Sequence, residues 1–287
     1  MNNHIIRCVA LALVVLTLAA CGDDLEPTQQ QDPKSTPMTF VVDYPGQTRA
    51  TATDFERNDR IGLYIADAKE PLELAGNLVN NEALTFDGNK WEAGRTLYWD
   101  EGTYNAYAYY PYMQDVTSVT DQSTPKTATA LGGYEASDLL FATTKDVKAS
   151  DSPVRLTFKH IMSKLKIRLI KGEDFEGDMP TTAKVYIHNT VPTATIDLQA
   201  GVATRYVKGT RQTIVAHQDG DTSYSAIIVP QRIDNRQPLV EVEMMGVSYL
   251  FESKFLFKPG TEHLVNLVIS ENPDKVKINI GGEKQNW

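Results

Sequence analysis

The sequence predicts an all-β protein built from β-sandwiches. Threonine, valine and tyrosine are residues enriched in strands, and the chain of 287 residues contains 13 tyrosines. Short alternating apolar segments recur between turn signals about every 8 to 12 residues, which is the spacing typical of β-sandwiches. Long segments with the apolar period of an amphipathic helix are absent from the pattern.

The N-terminal segment has the layout of a secretory signal. A short basic start precedes an apolar run of about a dozen residues, too short for a membrane-spanning helix of about 20. The run ends in Leu18-Ala19-Ala20-Cys21. This ending resembles a bacterial lipobox, in which the thiol is acylated and cleavage between Ala20 and Cys21 makes the cysteine the first residue. Residues 1–20 are therefore predicted to be a lipoprotein signal peptide; the alternative is an ordinary cleaved signal with a cysteine nearby.

The net charge limits the classes of binding partner, and the two cysteines limit disulfide bonding. A net charge of −9 disfavours nucleic acid and anionic lipid headgroups. Cys8 would leave with the signal and Cys21 would carry lipid, so no pair remains for a disulfide bond. Acyl chains on Cys21 would hold the protein stably on a membrane. Residues 21–37, rich in Gln, Asp and Pro, are predicted to be a flexible tether.

A half-buried first strand follows the tether. Met38, Phe40, Val42 and Tyr44 alternate with side chains that point the other way. Pro45-Gly46 ends the strand, and residues 47–53 are small and polar, with Arg49 as their one basic residue. Exposed loops of this kind are where proteases cut.

The rest of the chain reads as short strands separated by turns. A polar stretch at 145–153 marks a domain boundary, and residues 86–91 carry a tight turn between aromatic ends. The alternation changes phase near Met162-Ser163, where we expect a bulge or bend. The predicted strands are 60–65, 96–99, 104–112, 137–143, 154–162, 165–169, 183–187, 194–198, 213–216, 226–229, 239–244, 248–257, 264–269 and 276–280.

Catalytic and metal-binding patterns are missing from the sequence. His160, His188, His217 and His263 are scattered without metal-ligand spacing, and we expect His160 and His263 to be polar residues at a sheet face. Nucleotide-binding loops and nucleophile elbows are also absent. The sequence therefore predicts a protein that is not an enzyme and holds no cofactor or metal.

An aromatic stretch offers one candidate binding surface. It comprises residues 104–112 together with Trp91 and Trp99. Aromatic rings stack well on sugars, so a glycan-binding lipoprotein is the alternative function. We predict instead that the rings fill the sandwich core. Exposure of the rings distinguishes the two hypotheses.

Several segments in a fixed order point to a known family. They are Thr48-Arg49-Ala50-Thr51, Phe55 with Asp59-Arg-Ile-Gly-Leu-Tyr64, Tyr98-Trp99, Tyr107-Ala-Tyr-Tyr-Pro-Tyr112, Ser137-Asp-Leu-Leu-Phe-Ala142, Leu156-Thr-Phe-Lys-His-Ile-Met-Ser-Lys-Leu165, Ile228-Val-Pro-Gln231 and Phe257-Lys-Pro-Gly260. Together with the lipobox, this set resembles the Bacteroidales fimbrillins, the pilin-like lipoproteins of type V fimbriae.

The resemblance implies a fold, a location and a mode of assembly. It implies two tandem β-sandwich domains of transthyretin-like topology, at 38–152 and 153–287, and export to the outer membrane and cell surface. In this family a trypsin-like protease cuts after a basic residue beyond the first strand. Arg49, followed by Ala50, fits best; Arg57 and Arg60 are weaker candidates because they abut a predicted strand. A donor strand from another fimbrial subunit then fills the groove that the first strand leaves.

The C-terminal strand leaves the position of the subunit in a fimbria open. Val276, Ile278 and Ile280 alternate with polar residues, so this strand could be donated to another subunit or could close its own domain. In the first case the protein is a stalk subunit. In the second it is a tip or an accessory subunit. A further alternative is an anchor subunit that stays lipidated and uncut, with residues 38–44 as a permanent core strand and Arg49 as an exposed turn residue.

Overall fold

Strands make up most of the described chain, as the composition predicts. The computed structural model describes residues 36–45, 54–112 and 118–287. The first half contains β1 (Phe40–Asp43), β2 (Arg60–Asp67), β3 (Val79–Phe86), β4 (Trp91–Ala93), β5 (Thr103–Tyr110), a short helix α1 (Gly133–Ser137), β6 (Leu140–Lys148), β7 (Val154–Thr157) and β8 (Lys159–His160). The second half contains β9 (Ser163–Lys171), β10 (Lys184–Thr190), β11 (Ala194–Asp197), β12 (Val202–Arg205), β13 (Gln212–Val215), β14 (His217–Gly220), β15 (Ser223–Ile228), β16 (Gln231–Met244), β17 (Val247–Phe257), β18 (Thr261–Ile269), a 3₁₀ turn (Pro273–Lys275) and β19 (Lys277–Gln285).

Two layers of strands enclose the core of the first half. A six-stranded sheet has the order β4-β3-β2-β5-β6-β8, and the two-stranded pair β1-β7 is separate from it. The apolar cluster between them takes Ile61 and Leu140 from the large sheet and Leu156 from the pair, all three with no exposed surface. The small pair therefore covers one face of the large sheet.

The second half is a sandwich of a five-stranded and a four-stranded sheet. Their orders are β14-β15-β9-β18-β19 and β13-β10-β16-β17. One core cluster draws Leu165 and Val265 from the larger sheet and Val242 from the smaller, all fully buried. Within the larger sheet β9 and β18 run parallel, whereas the other neighbours are antiparallel. The prediction of an all-β sandwich fold is confirmed.

The predicted tight turn joins β3 to β4. The Asp87 amide donates to the Lys90 carbonyl at 3.0 Å, and Gly88 takes φ +101°, a backbone conformation that glycine adopts at little cost. The turn brings the rings of Phe86 and Trp91 into a stacked pair 5.2 Å apart. The sequence signal for a turn between aromatic ends is confirmed.

At Met162-Ser163, where the sequence predicts a bulge or bend, the chain crosses from the first half to the second. β8 pairs with β6 of the first half, and β9, the next strand along the chain, pairs with β15 and β18 of the second half. Ile161, Met162 and Ser163 are consecutive buried residues, as a crossing between two cores requires. Strands β7 and β8 thus pair within the first half, and the division into domains at 152/153 stays a prediction.

A third apolar cluster joins the two halves. It packs Tyr107 and Phe141 of the first half against Ile227 and Val229 of the second, together with Ala203 of the β11-β12 hairpin. All five side chains are at most 1% exposed. The described residues, 36–45, 54–112 and 118–287, accordingly belong to one compact unit.

Gly201 tests how closely the β11-β12 hairpin approaches this third cluster. It has φ +65°, and a Cβ atom there would lie 2.3 Å from Cδ1 of Phe141. Gly201→Ala should therefore lower the free energy of unfolding by about 1–3 kcal/mol more than Gly76→Ala, measured by urea denaturation. Gly76 is the matched control because it has φ +94° and a Cβ atom there would meet nothing within 4 Å. Equal losses in the two variants would contradict the close approach.

Candidate functional site

The first strand lies between two neighbouring segments at the rim of the first half. β1 pairs in parallel with β7, from Phe40 opposite Val154 to Asp43 opposite Thr157. Just before β1, the Met38 amide donates to the Leu97 carbonyl at 2.8 Å. The strand predicted at 96–99 therefore exists as a short antiparallel contact with residues 36–38 rather than as a longer strand.

The apolar face of the first strand points into the core as the alternation predicts. Met38 is 7% exposed, and Phe40, Val42 and Tyr44 are half-buried against the first-half cluster. Val41, on the opposite face, is 37% exposed. Full burial of such a side chain contributes about 1.5–3 kcal/mol, so an empty groove in place of this strand would be costly.

Polar side-chain contacts contribute little to the stability of the first strand in its position. Asp43 accepts hydrogen bonds from Nη1 of Arg155 at 2.7 and 2.8 Å and from Oγ1 of Thr157 at 3.1 Å. The Arg155 side chain is 64% exposed and the Asp43 side chain 30% exposed, and ion pairs accessible to solvent contribute about 0–1 kcal/mol. Apolar burial and backbone pairing thus hold β1 in place.

Aromatic packing fixes the end of the first strand. The ring of Tyr44 meets Phe55 edge-to-face at 5.0 Å, and Phe55 makes further edge contacts with Trp91, Tyr110 and Phe158 at 5.0–5.6 Å. Burial raises the pKa of the Tyr44 phenol above its ordinary value, so the hydroxyl stays protonated. Tyr44 and Phe55 flank the stretch 46–53, and both are anchored in the core.

A turn of four residues places Phe55. The Glu56 amide donates to Oδ2 of Asp59 at 2.7 Å, and the Asp59 amide donates back to the Glu56 carbonyl at 2.9 Å. The hydroxyl of Tyr110 donates to Oδ1 of Asp59 at 3.2 Å. Burial raises the pKa of the Asp59 carboxyl. The sequence analysis named Phe55 and Asp59 only as part of a family segment and missed their structural roles. The available signal was an apolar residue directly after a polar stretch.

The predicted processing residues lie outside the described residues. This holds for Ala20 and Cys21 of the lipobox and for Arg49 and Ala50. The weaker candidates are described: Arg57 is exposed in the turn, and Arg60 begins β2 with its guanidinium 4.6 Å from the Tyr112 ring centroid.

The position of Phe55 separates the three basic residues. A cut after Arg57 or Arg60 would remove Phe55 along with the first strand, and the core would lose the centre of its aromatic cluster. A cut after Arg49 would leave Phe55 in the body of the protein.

The tyrosine-rich stretch faces the interior. Tyr104, Tyr107, Tyr109 and Tyr110 are at most 8% exposed. Trp91 and Trp99 are buried as well. Trp91, Trp99, Tyr104 and Tyr110 fill the first-half core as predicted. Tyr107 and Tyr109 lie instead in the third cluster, against which the partly buried Tyr112 packs, so the buried rings of this stretch offer no exposed platform for a sugar.

The last strand lies at the edge of the five-stranded sheet. β19 pairs with β18 and runs past Gly281-Gly282 to Gln285, further than the predicted strand 276–280. Val276 and Ile278 pack against the second-half core, whereas Ile280 is 59% exposed. In this structure β19 closes its own sheet.

His160 and His263 are buried at sheet faces, as predicted. His160 is 6% exposed and places Nδ1 2.9 Å from Oδ1 of Asp138. His263 is 2% exposed, and its Nε2 accepts from the Lys258 amide at 3.1 Å. Burial is the main cause that lowers the pKa of His263, so the ring is neutral, as the hydrogen bond from Lys258 requires.

The described part of the chain lacks two further features. Within residues 36–45, 54–112 and 118–287, no group of three or more His, Cys, Asp or Glu side chains could hold a metal ion. Over the same ranges no helix is long and apolar enough to cross a membrane.

Comparison with known proteins agrees with the resemblance seen in the sequence. The model of the fimbrillin-like family matches residues 48–287. A candidate fimbrium tip subunit of Bacteroides ovatus, Fim1C, is 37% identical over 70 residues, which are 24% of this chain and 12% of that protein. The match thus covers a small part of that relative's length.

Two solved structures share the fold. A candidate cell adhesion protein of Bacteroides ovatus has a TM-score of 0.69 at 19% identity, over 88% of this chain and 98% of that one. A candidate cell adhesion protein of Bacteroides uniformis has a TM-score of 0.64 at 21% identity, over 88% of this chain and 100% of that one. At such identities the likeness concerns the fold.

Phe55 should contribute strongly to the stability of the core beneath the first strand. Phe55→Ala removes a ring that is 6% exposed and contacts four other aromatic rings. We expect a loss of about 3–5 kcal/mol in the free energy of unfolding, measured by chemical denaturation. Leu74→Ala is the control because Leu74 is 88% exposed, and it should change stability by less than about 0.5 kcal/mol. Similar losses for the two variants would exclude the anchoring role of Phe55.

Proposed function

The chain belongs to the fimbrillin-like family, and on that premise we propose that it is a structural subunit of a surface fimbria that serves adhesion. The family match covers residues 48–287, and the relatives named above are candidate fimbrial and cell adhesion proteins. A subunit of this kind assembles with other fimbrial subunits.

We propose that the protein reaches the cell surface as an outer-membrane lipoprotein. Signal cleavage before Cys21 would leave a cysteine that carries acyl chains, and residues 21–37 would tether the folded body to the membrane. The spacing of Leu18-Ala19-Ala20-Cys21 supports this step.

Maturation would then remove the first strand. A trypsin-like protease would cut between Arg49 and Ala50, so that residues up to Arg49 separate from the body. The observation that carries the proposal is the position of β1: it sits at a rim, pairs with a short strand, and is held chiefly by its apolar face. Such a strand can leave without breaking the six-stranded sheet.

A strand from another subunit would fill the vacated groove. Backbone pairing with β7 and with residues 97–99 would give affinity, and the pockets of Phe40 and Val42 would select alternating apolar side chains, as in β-strand addition. Refilling the groove would restore the burial that cleavage removes.

The position within the fimbria has two candidate answers. A stalk subunit would donate a strand of its own. A tip or accessory position is favoured by the closure of the five-stranded sheet by β19, and by the partial match to a candidate tip subunit. We infer the tip or accessory position.

Limited trypsin digestion tests the cleavage site. Wild-type protein should give one early product with Ala50 at its N-terminus, identified by N-terminal sequencing. Arg49→Ala should abolish that product, whereas Arg57→Ala should leave it unchanged. If the Arg49→Ala protein still gives the early product, Arg49 is not the cleavage site.

The size of the clipped protein tests the position in the fimbria. A tip or accessory subunit should stay monomeric in size-exclusion chromatography after the cut, because it lacks a donor partner. A ladder of oligomers would instead establish a stalk subunit.

Acylation tests the proposed anchor. Uncut protein isolated from membranes of the producing cell should carry acyl chains at Cys21 by mass spectrometry, and Cys21→Ala should yield an unlipidated precursor. Cys8→Ala is the matched control and should leave acylation intact. Acyl chains on the Cys21→Ala protein would contradict the lipobox assignment.

A further inference from the structure

His160 lies between the ends of the first and last strands. The ring of Tyr44, the residue after β1, meets the imidazole edge-to-face with 6.3 Å between ring centroids. The indole of Trp287, two residues after β19, stacks on the same imidazole at 3.7 Å with 13° between the planes. Two distant parts of the chain thus meet on one side chain.

A buried hydrogen bond fixes the orientation of that imidazole. Nδ1 of His160 lies 2.9 Å from Oδ1 of Asp138, and both residues are at most 9% exposed. His160 also pairs with Leu140 at the edge of the six-stranded sheet. Rotation of the ring would leave a buried polar group without its partner, so the ring is a rigid wall between its two aromatic neighbours.

The stack of Trp287 on His160 is one of the contacts that hold the far end of β19, where three residue pairs of the ladder with β18 continue. The pairing of β19 with β18 is irregular opposite Gly281-Gly282, between His263 and Val265 of β18. This irregularity separates the C-terminal end of β19 from its N-terminal part. Beyond that break the Asn286 amide donates to the Gly260 carbonyl at 2.9 Å, and Glu283 pairs with Lys258 at 2.6 Å. Oγ1 of the buried Thr261 also donates to Oε1 of Gln285 at 3.1 Å. Because exposed ion pairs contribute little, the docking of Trp287 and this hydrogen bond are the main side-chain contacts of this end.

Lys164 also contacts the indole of Trp287. Its Nζ lies 4.5 Å from the centroid of the Trp287 ring, within the range of a cation–π contact, and 3.1 Å from Oε2 of Glu262. Nε1 of Trp287 is buried without a hydrogen-bond partner in the structure. The indole is thus held by its faces, and its docking depends on the position of the imidazole beneath it.

One cavity connects these groups. It has a volume of about 650 Å³, and Tyr44, Asp138, His160, Lys164 and Trp287 all line it. If the Tyr44 ring leaves, water gains access to the side of His160 that the phenol covered, and competes for the bond to Asp138. The imidazole then loses its fixed orientation, and the stack with Trp287 weakens.

We propose that His160 energetically couples the first strand to the last strand, so that loss of the Tyr44 contact loosens the C-terminal end of β19. Linkage makes the effect reciprocal: loss of the Trp287 contact loosens residues 36–45 by the same factor. The coupling is a property of the intact folded chain. Its biological consequence rests on the proposed function: a subunit that has lost its first strand would hold its last strand less tightly, and one that keeps it would stay closed.

Hydrogen exchange of the uncut, full-length protein tests the coupling directly. In Tyr44→Ala, backbone amides of residues 277–287 should exchange about 5-fold faster or more, which is the low end of measured coupling between sites. Val42→Ala is the matched control: Val42 shares the strand and the inward face but does not line the cavity. It should speed exchange at 36–45 and leave 277–287 unchanged.

If Tyr44→Ala folds poorly, the variant Trp287→Ala tests the coupling in the opposite direction. Trp287 is only partly buried, so Trp287→Ala should fold, and it should speed exchange at 36–45. In a His160→Ala background, adding either substitution should change the opposite strand no further. Unchanged exchange at 277–287 in folded Tyr44→Ala, or at 36–45 in Trp287→Ala, would overturn the coupling. Because no cleavage occurs in this experiment, its outcome is independent of whether Arg49 is cut.

Discussion

The need to cover one apolar face of the six-stranded sheet organises the first half of the molecule. That face carries Ile61, Leu63 and Leu140, none with exposed surface, and β1 and β7 close over it. The cover is made of two short strands paired in parallel with each other and separate from the large sheet. In our proposal this cover is exchanged strand for strand, because the sheet beneath would keep its own hydrogen bonds. The apolar face that stabilises the intact chain would then drive the capture of a replacement strand.

Local patterns in the sequence predicted much of this architecture. Alternation identified the first strand and its inward face, and the change of phase at Met162-Ser163 located the crossing between sheets. Tyr104 and Tyr110 lie in the sandwich core as predicted, whereas Tyr107 and Tyr109 are buried in the third cluster on the opposite face of the sheet. Pairing partners could not be predicted in the same way. The parallel match of β1 with β7 joins segments far apart in the chain, and no local pattern encodes that register. β19 was predicted too short because Gly281-Gly282 reads as a turn, whereas here it interrupts a ladder that continues.

The candidate site was predicted in part. Cys21 and Arg49 were identified from spacing and from loop composition, and both remain predictions because they lie outside the described residues. The packing role of Phe55 and the role of Trp287 were missed. Phe55 matters because four aromatic rings converge on it, and Trp287 matters because it stacks on His160. Both roles arise from tertiary contacts that bring distant residues together, so a single sequence shows only isolated aromatic residues at these places.

The first strand is, in our proposal, a replaceable cover, and refilling the groove with a synthetic strand tests this most directly. The protein would be cut with trypsin, separated from its N-terminal fragment, and mixed with a peptide of residues 36–45, which span β1. We expect the cut protein to melt at a lower temperature than the intact protein, and the peptide to restore the loss whereas a scrambled peptide does not. Two results would contradict the replaceable cover. In the first, the cut protein keeps the melting temperature of the intact protein after the fragment is removed. In the second, the peptide does not raise the melting temperature of the cut protein.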